Sequence, residues 1–279
     1  MREVDYNTIV DTVARLCMEA NYFLGEDVIN ALKHGLQIEE SPTGKDILNQ
    51  LLKNAEIAKT EKIPICQDCG YAVVFLELGD EVCVKGNIAK AITEGVGKGY
   101  TEGYLRKSIL VDPIKGKNTG DNTPPVIHTT IVPGDKIKIT VAPKGGGSEN
   151  MSEVRMGKPA DGIEGVKEFV IDRMMRSSAN PCPPVVIGVG IGGNFEYSAY
   201  LAKKALLRDI GQRHPDKFYA DVEIELLEKI NNLGIGPMGL GGRVTALDVF
   251  IEVYPRHIAS FPAAVNTNCH AARHKVAII

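Results

Sequence analysis

The chain has no tryptophan, and aromatic residues make up only 6% of its 279 positions. No apolar run approaches about 18 residues, the length a membrane-spanning helix needs. The opening Met1-Arg2-Glu3-Val4-Asp5-Tyr6 lacks the apolar stretch of a secretory signal, so a cytoplasmic location is expected. Positive charge is not in excess: 32 Lys and Arg against 35 Asp and Glu leave a net charge of −3. That balance argues against a nucleic-acid binder working through a basic surface. There is no repeat, low-complexity stretch or Ser/Pro-rich linker, so one domain spanning residues 1–279 is expected. Cysteine is sparse, at six residues. In a reducing compartment these read as thiols or metal ligands, not disulfides.

What remains is an ordinary globular composition, 44% hydrophobic and 24% charged. Patterning predicts helices over 5–24, 26–34, 42–59, 87–104, 163–177, 197–207 and 222–233. The third opens with Ser41 as N-cap and Pro42 at the first helical position. Strands are expected over 71–78, 126–132, 136–141, 185–189 and 244–254. The second and third of these should pair around Pro133-Gly134. Together they define an α/β fold with mixed sheets surrounded by helices.

Three cysteines stand in three separate loops: Cys66 in Ile65-Cys66-Gln67-Asp68, Cys182 in Asn180-Pro181-Cys182-Pro183-Pro184, and Cys269 in Asn266-Thr267-Asn268-Cys269-His270. Pro64, Asn180, Pro181, Pro183, Pro184, Asn266 and Asn268 are expected to break regular structure, so each thiol should stand at a turn. Three such thiols could hold one iron–sulfur cluster, leaving one iron without a protein ligand and open as a Lewis acid. The competing reading of any single cysteine is a small buried hydrophobe. Cys17 fits it, spaced with Ile9, Val13, Leu16 and Ala20 on a helical face, and so does Cys83 in a strand-like stretch. Cys66 and Cys69 also form a C-x-x-C pair, which suggests zinc or redox chemistry. Zinc is disfavoured, because no second such pair and no separate histidine pair completes a tetrahedral set.

Other motifs are weighed beside these. Gly188-Val189-Gly190-Ile191-Gly192-Gly193 follows an apolar strand and precedes a helix, as in a nicotinamide-dependent dehydrogenase domain. The second strand that pattern needs is missing, since Leu207 is followed by polar residues. Glycines for a tight turn close to another backbone are the better reading. Lys144-Gly145-Gly146-Gly147-Ser148 is a flexible loop whose amides could cradle a carboxylate. Asp68, two residues from Cys66, is a candidate proton donor, and His257 at a strand end is a candidate acid–base partner. Arg106 is a candidate carboxylate clamp.

Taken together, Ile65 to Asp68, Lys144 to Ser148, Asn180 to Pro184, Ile187 to Gly193 and Asn266 to Arg273 resemble the class I iron–sulfur fumarate hydratases. The likeness is to the alpha subunit, or N-terminal domain, and covers nearly the whole chain. It implies a 4Fe–4S cluster on Cys66, Cys182 and Cys269, with one iron not ligated by protein. It implies substrate contacts from Gln67, Asp68, Arg106 and Gly146, and an acid pair of Asp68 and His257. The family has threonine where this chain has Cys69, which is therefore not expected to bind iron. A beta subunit carrying the C-terminal domain and the catalytic base is implied, in an α₂β₂ assembly acting on a small dicarboxylate. The expected reaction is reversible hydration of fumarate to L-malate. L-tartrate dehydratase, whose alpha subunit shares these loops, is the alternative.

Overall fold

Helix starts follow local capping chemistry. Asp5, Asn87, Asn194 and Asp216 each turn a side-chain oxygen onto a free amide of the helix that follows. A computed structural model describes residues 1–279. Its elements, in chain order, are β1 (Arg2–Val4), α1 (Tyr6–Tyr22), α2 (Glu26–Ile38), α3 (Pro42–Glu61), β2 (Tyr71–Gly79), β3 (Val82–Val84), α4 (Ile88–Glu102), β4 (Leu110–Asp112), β5 (Gly116–Asn118), β6 (Val126–Val132) and β7 (Ile137–Lys144). There follow α5 (Gly146–Glu149), β8 (Glu153–Gly157), α6 (Gly162–Ser177), β9 (Val185–Gly193), α7 (Phe195–Ala205), α8 (Lys217–Asn231), β10 (Ala246–Arg256), β11 (Phe261–Asn268) and β12 (Lys275–Ile278). The class is α/β with mixed sheets. No helix is long and apolar enough to cross a membrane.

The chain divides into two compact units that interleave in sequence. One comprises residues 1–24, 54–146 and 273–279; the other comprises 25–53 and 147–272. One boundary falls inside α3, so no linker composition marks it.

The first unit is built on a four-stranded sheet in the order β12-β7-β2-β6. Helices α1 and α4 supply much of its core, with Ile9, Val13, Leu16, Ile92, Val96 and Tyr100 against Val74, Leu76, Ile139 and Val141. Cys17 belongs to this core, and burial pushes its thiol up to about 12. The expected pairing of β6 with β7 is not made. β2 lies between them, parallel to β6 and antiparallel to β7. The reason is burial: Ala72 to Leu76 are buried on both faces and need a neighbour on each edge, whereas β6 carries His128, Thr129 and Thr130 and suits an edge. The Pro133-Gly134 turn instead passes across the end of β2, where the amides of Asp80 and Glu81 donate to Val132 and Gly134. Cys83 lies in a strand as expected, but it is exposed, because β3 pairs only with the short β1.

The second unit is built on β10-β9-β11-β8, with β10 parallel and β11 antiparallel to β9. Strand β9 runs on through Gly193, where the sequence suggested a loop after Val189. The glycines serve close packing: a Cβ on Gly188 or Gly190 would sit 2.0 Å from the Ala202 carbonyl or 2.1 Å from the Ser198 carbonyl of α7. Asn266 and Asn268 do not break structure either; both lie in β11. Their side chains can be accommodated because Asn266 finds polar partners, Glu149 at 2.9 Å and Ser152 at 2.7 Å.

Candidate functional site

In the first unit the Cys66 loop joins α3 to β2 and is held at nearly every carbonyl. The Asn54 amide donates to Ile65 at 2.8 Å, and the Ile65 amide donates to Asn21 at 2.9 Å. The buried Tyr100 hydroxyl donates to Cys69 at 2.7 Å, and Asn122 donates to Gly70 at 3.1 Å. Gly70 is required here: its φ is +77°, and a Cβ would lie 2.7 Å from the Lys144 nitrogen.

The fixed loop groups the expected residues around Asp68. The Asp68 amide points at the Cys66 sulfur at 3.4 Å. One Asp68 carboxylate oxygen accepts the Gly70 amide at 2.9 Å, the other the Gly146 amide at 2.7 Å. Gly146 opens a single helical turn, α5, where the sequence suggested a flexible loop. Arg106 is brought in through its backbone amide, 3.1 Å from the Cys69 sulfur, while its side chain is exposed, as is Gln67. Burial pushes the Cys69 thiol up, against the opposing pull of the Arg106 amide and the Arg273 charge. Cys69 is thus a buried core residue accepting a backbone amide, which threonine could also do.

In the second unit the turns that carry Cys182 and Cys269 meet. Cys182 precedes β9 and Cys269 follows β11, and the antiparallel register pairs Asn268 with Val186. The His270 amide donates to the Cys182 carbonyl at 3.3 Å. Both thiols are half-buried and free of disulfides. Cys182 has φ +56°, a conformation side chains other than glycine rarely adopt, and is held there by its amide to Ala179 and by the Met238 amide to Pro183. Ser148, just after the glycines, accepts the Thr267 hydroxyl at 3.0 Å.

His257 is not brought to these cysteines. It follows β10, whose Arg256 pairs with Gly193, at the other end of β9 from Val186. Seven steps along the strand, from Val186 to Gly193, separate those ends, roughly 23 Å at the usual rise per residue. His257 is exposed, and its Nδ1 accepts the Ala259 amide at 3.1 Å. A strand-end histidine is placed by which end its strand leaves, and His257 leaves at the end opposite the Cys182 and Cys269 turns. Neither unit gathers three or more His, Cys, Asp or Glu side chains into a metal-binding group.

Arg273 was not singled out by its residue type. It is buried, and its Nη2 donates to the Asp68 carbonyl at 2.5 Å. Its place four residues past Cys269 was the available signal.

Comparison with known proteins defines the class first. Residues 10–278 match the family described as Fumarate hydratase (Fumerase), and the chain belongs to that family. Among individual relatives, a Methanocaldococcus jannaschii protein provisionally named L(+)-tartrate dehydratase subunit alpha is 45% identical over 275 residues, covering 96% of each chain. The L(+)-tartrate dehydratase subunit alpha of Escherichia coli K12 is 33% identical over 276 residues, covering 98% of this chain and 91% of that one. The protein of the same name from Shigella boydii serotype 4 matches to the same extent.

Proposed function

We propose that this chain is the alpha subunit of an iron–sulfur hydro-lyase that removes water from a four-carbon hydroxydicarboxylate, with L-tartrate the better supported substrate. The observation that carries the proposal is the junction of the Cys182 and Cys269 turns, where two half-buried thiols outside any disulfide stand at one end of a sheet. The third thiol, Cys66, already accepts a backbone amide, as a cluster thiolate does. Cys66, Cys182 and Cys269 would hold a 4Fe–4S cluster. When bound, it supplies a Lewis acid through an iron without a protein ligand.

The chain's own residues would bind and transfer a proton. Gln67 and the free Arg106 guanidinium face solvent beside the loop and suit a carboxylate. Gly146 offers an amide, now spent on Asp68. A substrate carboxylate that took this amide would free one Asp68 oxygen to carry the proton delivered to the leaving hydroxyl. The base that removes the carbon-bound proton would come from a beta subunit, with the pair assembling as α₂β₂ in the cytoplasm. His257 stands at the far end of its own sheet from the Cys182 and Cys269 turns, and a second copy of the chain would supply the histidine that pairs with Asp68.

The names of the relatives favour tartrate, and the family description favours fumarate and L-malate as the second reading. The test is anaerobic turnover of L-tartrate and L-malate by the reconstituted chain with its partner. A kcat/KM for tartrate well above that for malate supports the first reading, and the reverse order replaces it. Asp68→Asn should lower kcat by about 10²–10⁴-fold on the true substrate, the usual share of a general acid. Mixing inactive Asp68→Asn and His257→Asn chains should restore part of the activity if the two act across copies; a wild-type kcat in His257→Asn alone removes His257.

A further inference from the structure

Arg273 is a buried cation with most of its donors unspent. Its side chain is about 6% exposed. Nη2 holds the Asp68 carbonyl, but Nε and Nη1 are sealed from solvent with no hydrogen-bond partner. A guanidinium stays charged in any protein. Burying that charge without an anion is costly, so such groups are paired in the working state. The Asp68 carboxylate is already engaged by two amides. Among the groups that feel its charge are the Cys69 thiol and the Tyr100 hydroxyl. Neutral groups do not compensate a cation.

We infer that Arg273 is a positioning residue for the cluster. It fixes the loop at Asp68 and balances the negative charge that the Cys66 thiolate and the sulfides bring. This rests on the iron–sulfur reading above. A cubane held by three thiolates is an anion overall, and charge and hydrogen bonds near its sulfurs set both its retention and its potential.

The test uses the full chain, purified with any subunit that accompanies it, before and after anaerobic reconstitution with ferrous iron and sulfide. Arg273→Gln keeps a donor for the Asp68 carbonyl but removes the charge; Arg273→Lys keeps the charge. For Arg273→Gln the cluster-free form should melt at or above the wild-type temperature, because the uncompensated cation is gone. Reconstitution should then raise the melting temperature by less than in wild type. The cluster should have a lower reduction potential and roughly 10–100-fold weaker iron retention, as for other outer-shell changes. Arg273→Lys should stay near wild type in potential. The inference is overturned if Arg273→Gln lowers the melting temperature of the cluster-free form but leaves the potential and the gain on reconstitution unchanged. A wild-type protein that takes up no iron and sulfide would instead overturn the cluster reading itself.

Discussion

The Cys66 loop is held largely by side chains, whereas the Cys182 and Cys269 turns are held largely by backbone, with the His270 imidazole Nδ1 also 3.2 Å from the Cys182 carbonyl. Around Cys66, the carbonyls of Ile65, Asp68, Cys69 and Gly70 are each taken by a side-chain donor: Asn54, Arg273, Tyr100 and Asn122. Around Cys182, the amides of Cys182, Met238 and His270 bond to the carbonyls of Ala179, Pro183 and Cys182. Cys269 is placed by the register of β11 on β9. A backbone-held turn tolerates side-chain change and is vulnerable to backbone change. A side-chain-held loop is the opposite, since each lost donor leaves a carbonyl unsatisfied.

The largest effect should come from the thiols themselves, and it should not depend on how each is held. Serine at Cys66, Cys182 or Cys269 should abolish recovery of a four-iron cluster after anaerobic reconstitution, measured as iron and sulfide per chain. Serine at the exposed Cys83 should leave it intact. Full iron retention in Cys182→Ser would break the proposed ligand set.

The difference between the regions shows in the next tier. Asn122 is fully buried; it donates to Gly70 and accepts the Ser108 amide at 2.7 Å. Asn122→Ala should cost about 1–3 kcal/mol by removing the acceptor of the Ser108 amide and leaving the Gly70 carbonyl to the Tyr100 hydroxyl alone, read from the denaturant midpoint. Asn180, beside Cys182, is exposed and joins its turn through its backbone amide to Ser177. Asn180→Ala should stay within about 0.5 kcal/mol of wild type, as surface changes do. Equal costs at the two asparagines would erase the distinction.

Much of this was legible in the chain. The helical periodicity and the Ser41-Pro42 and Cys17 signals are local, and local chemistry acts before tertiary structure forms. The three cysteine loops were readable for the same reason. Strand order was not, because β2 displaces β7 from β6 through burial on both its edges, which no short pattern encodes. β11 is hidden because its two asparagines read as breakers, while the partners of Asn266, Glu149 and Ser152, lie more than 100 residues away. His257 was recognised as a strand-end residue, but which end of the sheet it occupies follows from parallel pairing of β10 with β9. Arg273 went unassigned because its burial is tertiary.

A smaller loss than at Asn122, and a pH-dependent one, concerns a buried carboxylate on which the backbone-held region leans. Glu39 is 2% exposed; it accepts the amides of Glu40, Ser41, Arg243 and Val244 at 2.8–3.0 Å. Through Arg243 it anchors the loop that contains Met238, whose amide holds Pro183 next to Cys182. Burial alone would raise the Glu39 carboxyl, but the four amides outweigh it and hold the group below the usual carboxylate range. A carboxylate lowered on folding contributes stability that is fully present above its unfolded value, about 4.3, and is lost as pH falls through the folded one. Acid should therefore loosen this region first at Glu39. In Glu39→Gln the amide cannot satisfy four donors, so at pH 7 the cost should be about 1–2 kcal/mol. Below pH 4 the cost should shrink, because the wild-type group is itself becoming protonated. Denaturant midpoints of both proteins at pH 7 and at pH 3.5 measure this, with amide exchange at Val244 reporting the local opening. A penalty that stays constant across that range would show that the Glu39 charge contributes nothing and that only its shape holds the loop.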